Sequence, residues 1–431
     1  MRRAFENKLL RWKQQKNALP LMLVGARQTG KTYLLSEFCK LNFAETILLN
    51  FAEKPEYKDF FRPSLVASEI IGRMELFFNR KIDADKTVFF FDEIQDCEEA
   101  IASLKYFAES PVDYRMVTAG SLLGVKINRL KSSFPVGKVQ IEYLYPMDFE
   151  EFLWALGENR LAEEIRKHYT DNQPFAEIIH NKALQLYRAY LCVGGMPAAV
   201  KNFAETGRDL MLFNAAIIAD ISTGYLADMT KYSENVSSVK IHAIYRSMPA
   251  QLAKQKRFMY KTVEQGGNRE KFQNAIEWLL QANMLLPCIL TEMPQPPLSA
   301  YFTESMFKLY LSDVGLLVSL SRLKFGDIVN NVEMMYRGFL TENFVAQTFA
   351  AHGINLNYWT SGNLAEIDFL TELQDGIIPV EVKAAENVRS HSLGVYTEKY
   401  KPPYAIRLSS KNFGFANSIK SVPLYAAHCV E

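Results

Sequence analysis

The chain has 431 residues, of which 48% are hydrophobic and 23% charged, and its formal net charge is +1. This composition excludes collagen-like, low-complexity and wholly disordered proteins. The balanced charge neither indicates nor excludes a nucleic-acid partner. No stretch approaches the roughly 18 consecutive apolar residues that a membrane span requires, and the five cysteines are widely spaced. We therefore expect two to three domains, buried free thiols, a cytoplasmic location and no membrane partner.

The first 145 residues alternate short apolar runs with helical patterns, which is typical of a parallel sheet with crossover helices. The run Val88–Phe91 is continuously apolar, as expected for a parallel strand that is buried on both faces. The pattern predicts an α/β domain over residues 1–145, with strands at 21–24, 46–50, 87–91 and 114–118.

Residues 25–32 read GARQTGKT and match the phosphate-loop pattern G-x-x-x-x-G-K-[ST], between a predicted strand and a predicted helix. Glycines let successive backbone N–H groups surround an anion, and the start of a helix adds positive potential. We predict that Lys31 reaches the outer phosphates of ATP and that Thr32 places its hydroxyl on Mg²⁺. The alternative is a chance match in a glycine-containing turn. The predicted nucleotide site comprises Gly25, Ala26, Arg27, Gln28, Thr29, Gly30, Lys31 and Thr32.

The apolar strand 87–91 ends in Asp92 and Glu93. An acidic residue at the carboxyl end of such a strand lies beside the phosphate loop, where Mg²⁺ needs an oxygen ligand. Asp92 is predicted to fill that role, directly or through water. Glu93 is predicted to polarise the water that attacks the γ-phosphate. By itself the pair also fits a solvated turn, but the phosphate loop favours the functional interpretation.

Several segments together resemble a bacterial and archaeal group of AAA-type P-loop ATPases. They read GARQTGKT, FFFDEIQD, TAGSLLGV, YPMDFEEFL and YLCVGGMPAAV in chain order. The resemblance implies a P-loop NTPase fold, and it implies that Ser121, or with less support Thr118, is the polar sensor after the fourth strand. It also implies a helical lid over residues 146–232.

One position departs from that group, which often carries Gly-Arg where this chain has Gly137 and Lys138. Lysine keeps the charge but lacks the planar fork of arginine. An arginine finger supplied to a neighbouring subunit is therefore in doubt at this position, with Arg129 and Arg115 as weak substitutes, and oligomerisation stays open.

Residues 233–325 carry helical patterns followed by a short hairpin, an order that resembles a winged helix. Asn268 is a plausible N-cap, and apolar runs at 285–290 and 307–311 flank a proline-rich loop. Arg269 and Lys271, near the start of the third helix, are candidate DNA contacts. The alternatives are a solvated helix face or a protein-docking module.

The last predicted unit, residues 326–431, contains the alternating runs EIDFL and VEVK separated by an Asp-Gly turn. A hairpin of these two strands brings Asp368 near Glu381 and Lys383. In the preceding helix, Glu342 falls on an otherwise core-facing stripe, and a buried carboxylate is costly unless it is paired or bound to metal.

Carboxylates beside a lysine can bind Mg²⁺ and activate water for phosphodiester cleavage. Asp368 and Glu381 would be metal ligands, and Glu342 would be a further ligand or would hydrogen-bond to one. Lys383 would stabilise the attacking water or the developing charge. The signature resembles the restriction-endonuclease-like superfamily, whose fold is a smaller α/β domain. The alternative is an ordinary half-exposed strand with surface charges, or an inactive member that only binds.

We therefore predict an AAA-type molecular switch that binds and hydrolyses ATP, coupled to the binding or cleavage of DNA or RNA. The alternative is a nucleotide-gated regulatory or scaffold protein whose carboxyl-terminal domain binds a protein partner without chemistry.

Overall fold

The computed structural model describes residues 1–121, 125, 134–231, 238–254, 257–330, 336–362, 364–384 and 391–430. The chain divides into two compact units. The smaller unit comprises Arg2–Tyr145 with Gln281–Asn283, and the larger comprises Met1, Pro146–Leu280 and Met284–Glu431.

The smaller unit is built on a parallel sheet of five strands in the order β2-β3-β4-β1-β5. The four predicted strands are confirmed to within three residues at each end. The fifth strand was not predicted, because its four residues QIEY are partly exposed and contain no apolar run. The strands are β1 Leu21–Gly25, β2 Glu45–Asn50, β3 Thr87–Asp92, β4 Arg115–Ser121 and β5 Gln140–Tyr143.

Helices cover both faces of this sheet, since neighbouring strand residues point to opposite sides. Phe89 and Phe91 belong to one buried cluster, whereas Val88 and Phe90 belong to the other. The helices of the unit are Glu6–Gln14, Lys31–Asn42, Ala67–Phe78 and Glu98–Ala108, with 3₁₀ turns at Pro55–Phe61 and Ile94–Asp96.

The larger unit has helices from Phe149 onward, in the stretch 146–232 where the resemblance implies a helical segment. Its α-helices are Phe149–Ala155, Asn159–Asp171, Glu177–Val193, Pro197–Glu205, Ala216–Lys231, Ser238–Lys254, Tyr260–Val263, Arg269–Gln281, Val314–Ser321, Phe325–Val329, Tyr336–Ala351 and His391–Tyr400. Two 3₁₀ segments lie at Leu298–Tyr301 and Leu424–Cys429.

A mixed sheet of eight strands runs through the same unit in the order β12-β13-β11-β10-β9-β8-β6-β7. The predicted hairpin around the Asp-Gly turn is confirmed, with Phe369 paired with Val380. The strands are β6 Leu285–Thr291, β7 Phe302–Leu311, β8 Asn357–Thr360, β9 Glu366–Leu373, β10 Gly376–Val382, β11 Ala405–Ser409, β12 Gly414–Ala416 and β13 Ile419–Pro423.

The hairpin expected in the winged-helix-like unit is also present, as β6 and β7, with Leu285 opposite Leu311. It does not form a separate small sheet, because β6 also pairs in parallel with β8 at Ile289 and Asn357. Asn268 caps the N-terminus of the helix Arg269–Gln281, as predicted, by accepting a hydrogen bond from the Lys271 N–H at 2.9 Å. The domain boundaries expected from the sequence at residues 232 and 325 stay predictions.

The Gly194-Gly195 pair is explained by close packing within the larger unit. A Cβ on Gly195 would lie 2.0 Å from the carbonyl oxygen of Met147, and one on Gly194 would lie 2.4 Å from Asp313 Oδ1. Asp313 is fully buried and accepts the Gly195 N–H at 2.6 Å and the Leu316 N–H at 3.0 Å. The two glycines therefore let a buried carboxylate reach the backbone.

All five cysteines are buried free thiols, as predicted. Over the described part of the chain, no helix combines the length and the apolarity that crossing a membrane requires.

Candidate functional site

The phosphate loop connects β1 to the helix Lys31–Asn42, as predicted. Gly25 is required by a close approach, because a Cβ there would lie 2.3 Å from the carbonyl oxygen of Leu144. Gln28 and Gly30 both have positive φ angles, 62° and 91°, which turn the backbone sharply before the helix. Thr29 is fully buried, and its hydroxyl donates to the Ala26 carbonyl at 3.0 Å.

Lys31 lies inside the curl of the loop. Its ammonium group donates to the carbonyl oxygens of Gly25 at 2.9 Å and Ala26 at 2.7 Å. Burial lowers the pKa of Lys31 to about 8, although the carboxylates of Glu93 and Asp92 favour the charged form. The ammonium is thus poorly solvated, and its present ligands are oxygens that phosphate oxygens can replace.

Thr32 and Asp92 meet at the carboxyl edge of the sheet. The Thr32 hydroxyl lies 3.0 Å from Asp92 Oδ1 and 3.2 Å from Oδ2. The Asn50 side chain, at the end of β2, donates to Asp92 Oδ2 at 3.2 Å. Burial raises the pKa of Asp92, opposed by the Thr32 hydrogen bond. Sequence reasoning did not single out Asn50, although its place at a strand end was a usable signal.

A hydroxyl beside a carboxylate is an oxygen-donor set of the kind that Mg²⁺ prefers. Thr32 and Asp92 therefore fit the predicted metal. Within the smaller unit these two residues would hold it, next to the curled loop and the start of a helix.

Glu93 follows Asp92 in the left-handed backbone region, with φ of 48°, a conformation that is sparsely populated for a residue with a side chain. Its carboxylate accepts hydrogen bonds from the Ser121 hydroxyl at 3.1 Å and from the Gln95 side chain. Arg27 donates in turn to the Ser121 hydroxyl at 3.3 Å. The structure thus brings Ser121 to Glu93; among described residues, the buried Thr118 hydroxyl has no hydrogen-bond partner.

Arg3 braces the phosphate loop and was not identified from the sequence. Its guanidinium donates to the carbonyl oxygens of Thr29 at 2.9 Å and Tyr145 at 2.7 Å, and the residue is only 6% exposed. It therefore ties the apex of the loop to the end of the segment after β5. An isolated arginine near a chain start carries no sequence pattern that could have found it.

The cations considered as arginine-finger positions are engaged within the smaller unit or lie outside the described residues. Lys138 forms an ion pair with Glu109 at 3.0 Å. Arg115 donates to the Gln15 carbonyl at 2.6 Å and pairs with Asp113 at 3.0 Å. Arg129 lies outside the described residues.

The carboxyl-terminal constellation centres on a residue that the sequence did not indicate. Lys308, on β7, lies 2.9 Å from Glu342 Oε1 and 2.7 Å from Glu366 Oε1. The Tyr310 hydroxyl also donates to Glu342. Glu342 is therefore paired, which answers the question that its place on a core-facing stripe raised.

Of the remaining predicted residues, Asp368 lies on β9, Glu381 lies on the neighbouring β10, and Lys383 directly follows β10. Asp368 accepts the Val382 N–H at 2.8 Å. Glu381 lies 3.1 Å from the Lys383 ammonium and 3.7 Å from Arg407 Nε. Among described residues, no group of three or more His, Cys, Asp or Glu side chains is arranged to hold a metal ion.

The charge on each of these side chains shifts the pKa of its neighbours. Burial and the neighbouring Glu342 raise the pKa of Asp368, against the attraction of Lys308 and Lys383. Burial opposes the ionisation of Glu342, but Lys308 and the Tyr310 hydrogen bond outweigh it and lower its pKa. The Glu342, Glu366 and Asp368 carboxylates hold the pKa of Lys308 well above its usual value despite burial.

The candidate DNA contacts lie at the start of the helix Arg269–Gln281. The ammonium of Lys271 forms an ion pair with Glu264 at 2.7 Å, and both side chains are exposed. This arrangement fits the solvated-face alternative as well as a DNA contact.

Three family models match the chain in succession. Residues 17–153 match the model for an AAA domain. Residues 184–327 and 337–427 match two models each described as a domain of unknown function, DUF8612 and DUF4143. The first match agrees with the five-stranded parallel sheet and the curled segment 25–32: this part of the chain is similar to an AAA domain.

No curated protein matches the chain. Among solved structures, it is similar to the Walker-type ATPase PABY2304 of Pyrococcus abyssi, at 14% identity and a TM-score of 0.45, covering 75% of this chain and 96% of that one. It is also similar to the Aeropyrum pernix ORC1 protein in complex with DNA, at 12% identity and a TM-score of 0.30, covering 75% of this chain and 92% of that one. A third similar structure is the Thermotoga maritima RuvB Holliday junction branch migration motor, at 13% identity and a TM-score of 0.30, covering 68% of this chain and 86% of that one. Similarities with identities and TM-scores this low assign no function to the present chain.

Proposed function

We propose that the smaller unit binds ATP with Mg²⁺ and hydrolyses it, and that the chain is a nucleotide-driven molecular switch. One observation carries the proposal. The Thr32 hydroxyl lies 3.0 Å from Asp92 at the same sheet edge where Lys31 is buried in the loop. The proposed phosphate-binding groups, the proposed cation ligands and an acidic residue thus lie at one edge of the sheet.

In this proposal, Lys31 exchanges its bonds to the Gly25 and Ala26 carbonyls for bonds to phosphate oxygens. The N–H groups at the start of the helix Lys31–Asn42 point toward the same anion. Thr32 and Asp92 would hold Mg²⁺, which when bound neutralises phosphate charge and orients the γ-phosphate. Asn50 keeps the Asp92 carboxylate turned toward Thr32.

Glu93 is the residue that we propose orients the attacking water and accepts its proton. Its carboxylate is held by Ser121 and Gln95. Because Ser121 is itself contacted by Arg27 of the phosphate loop, a change in the loop can reach Glu93 through one hydroxyl. Ser121 is therefore the proposed sensor that relates nucleotide binding to the catalytic carboxylate.

The test separates binding from turnover. Glu93→Gln keeps the size and most hydrogen bonds of the side chain, so ATP should bind with nearly unchanged affinity while hydrolysis falls at least about 100-fold. Glu56→Gln, an exposed residue of the same unit, is the matched control and should hydrolyse ATP normally. Equal hydrolysis by Glu93→Gln and wild type would remove Glu93 from this role.

For the larger unit, two functions were predicted: nucleic-acid binding or metal-dependent cleavage, and non-catalytic binding of a partner. The contacts of Lys308 with Glu342 and Glu366 weigh against metal-dependent cleavage. We therefore propose that this unit binds a partner without phosphodiester chemistry. Mg²⁺-dependent cleavage of DNA or RNA by wild type, lost in Asp368→Asn and in Lys383→Ala, would restore the first.

A further inference from the structure

We propose that the Lys308 ammonium is the built-in counter-ion of the carboxyl-terminal carboxylate cluster, standing where a divalent metal ion would otherwise bind. The inference deepens the non-catalytic function proposed for the larger unit and does not depend on ATP hydrolysis. The carboxylates of the segment that resembles restriction endonucleases would then form ion pairs within the chain and would need no metal ion.

Lys308 joins three separate elements. It projects from β7, Glu342 lies on the helix Tyr336–Ala351, and Glu366 begins β9. The ammonium lies 2.9 Å and 2.7 Å from one oxygen of each carboxylate. A single cation bridging carboxylates from a helix and a strand is the arrangement that a metal ion would also adopt, and here the chain supplies it.

The other carboxylates of the predicted metal site also have partners from the chain. Asp368 accepts the Val382 N–H at 2.8 Å, and Tyr310 donates to Glu342. The Glu381 carboxylate lies beside Lys383 and Arg407, at 3.1 Å and 3.7 Å. A metal ion would have to separate the ion pairs of Glu342, Glu366 and Glu381 before it could use those carboxylates as ligands.

Electrostatic repulsion also keeps a divalent cation away from the carboxylates around Lys308. Mg²⁺ and Mn²⁺ seek about six oxygen ligands near 2.1 Å, whereas the ammonium already holds an oxygen of Glu342 and one of Glu366. A second, doubly charged cation at that distance from a buried ammonium would be repelled. Displacing the ammonium instead would leave a buried cation without partners, which is costly.

Steric access is not the reason for exclusion. A cavity of about 260 Å³ borders Lys308, Glu342 and Glu366, with Arg257 and Gln251 also on its wall. The side chains of Glu342 and Glu366 are 25% and 24% exposed, against 9% for Lys308. If the ammonium were removed, an ion from solvent could reach the two carboxylates.

The experiment is a Mn²⁺ titration of the full chain without nucleotide, followed by electron paramagnetic resonance of free and bound Mn²⁺. Lys308→Met removes the charge but keeps an unbranched side chain, and Lys261→Met, at an exposed position, is the control. We expect Lys308→Met to bind one Mn²⁺ more than wild type or the control. The gain should disappear in the double variant Lys308→Met with Glu366→Gln, which removes one of the two carboxylates that the ammonium contacts.

Two results would overturn the proposal. One is Mn²⁺ binding by wild type that is lost in Asp368→Asn or Glu342→Gln. The other is a folded Lys308→Met variant that binds no additional Mn²⁺. Mn²⁺ bound at the proposed Thr32–Asp92 site is distinguished because Asp92→Asn removes it and leaves the carboxylates around Lys308 unchanged.

If Lys308→Met does not fold, thermal unfolding of wild type decides the question. The unfolding temperature of wild type and of Asp368→Asn should respond identically to millimolar Mg²⁺ without nucleotide. A Mg²⁺-dependent rise in wild type that Asp368→Asn abolishes would contradict the proposal. These measurements involve no ATP, so failure of the proposed ATPase activity would leave their outcome unaffected.

Discussion

The Thr32 hydroxyl and the Asp92 carboxylate lie 3.0 Å apart, although sixty positions separate them in the chain. The sheet explains the contact. Strand β4 pairs with both β1 and β3, so the phosphate loop after β1 and the acid at the end of β3 flank the same strand end. Ser121, the last residue of β4, fills the position between them.

Thr32→Ala should weaken the binding of ATP with Mg²⁺ by about tenfold, equivalent to about 1.4 kcal/mol. The variant loses the hydroxyl proposed as a metal ligand but keeps the phosphate-binding backbone. Titration calorimetry with Mg²⁺ and again with EDTA measures both affinities. The metal-free affinity should be unchanged, and an equal loss in EDTA would mean that Thr32 acts on the loop and not on the metal.

Arg3→Met should loosen the phosphate loop and weaken ATP binding roughly fivefold, as expected when about 1 kcal/mol of hydrogen bonding is lost. Hydrogen exchange at residues 26–29 should quicken, because Thr29 loses the donor to its carbonyl. The exposed Arg2→Met serves as the control. Unchanged exchange at the loop would show that Arg3 stabilises only the segment after β5.

The affinity for ATP should fall as the pH rises above about 8, the value to which burial lowers the pKa of Lys31. Below that pH the ammonium is already charged. Above it, the group must take up a proton to meet the phosphates, so affinity drops by up to about tenfold per pH unit.

The matched variant for this pH dependence is Lys31→Arg, which stays charged throughout the range. It should show no fall between pH 8 and 10, whatever its absolute affinity. Parallel profiles for wild type and Lys31→Arg would assign the pH effect to another group.

His428 should make the larger unit sensitive to acid. Among described residues, neither of its ring nitrogens has a hydrogen-bond partner. Burial, with Arg166 and His352 nearby, lowers its pKa from 6.5 to about 4, against the attraction of Glu150 and Asp148. Between those values the unfolded chain binds more protons, so stability falls as the pH falls, by up to about 3 kcal/mol.

Denaturant unfolding at pH 7 and pH 5 checks this expectation. His428→Leu should lose less stability between the two pH values than wild type does, whereas the exposed His391→Leu should behave as wild type. An unchanged pH dependence in His428→Leu would place the acid sensitivity elsewhere.

Gly195→Ala should destabilise the larger unit by at least about 2 kcal/mol, because the added carbon would meet the Met147 carbonyl oxygen at 2.0 Å. Gly394→Ala, in the helix His391–Tyr400, has open space around it and should be neutral or slightly stabilising. Chemical denaturation compares the two. Similar stabilities would show that the backbone around Gly195 yields more easily than the packing indicates.

Local patterns predicted the part of the smaller unit that depends on contiguous residues. The phosphate loop lies between a strand and a helix, and Asp92 and Glu93 end an apolar strand, so each could be identified within a dozen residues. Arg3 could not be identified, because its contacts with Thr29 and Tyr145 are set by packing across the unit.

The larger unit shows the same limit. Glu342 stood out as a carboxylate on an apolar stripe, but its partner Lys308 lies 34 positions away on an edge strand. A lone lysine in an edge strand is ordinary in sequence. Only the three-dimensional pairing distinguishes a carboxylate cluster that holds its own cation from one that would bind a metal.

The central claim is that the curled segment 25–32 and the Asp92 strand end bind a nucleoside triphosphate with a divalent metal. Titration calorimetry of the full chain with ATP and Mg²⁺ tests it directly, with Lys31→Ala as the loss variant and the exposed Lys40→Ala as the control. Wild type and Lys40→Ala should bind one ATP per chain, and Lys31→Ala should bind none. Folded wild-type protein that gives no heat with any nucleoside triphosphate and divalent metal would contradict the account.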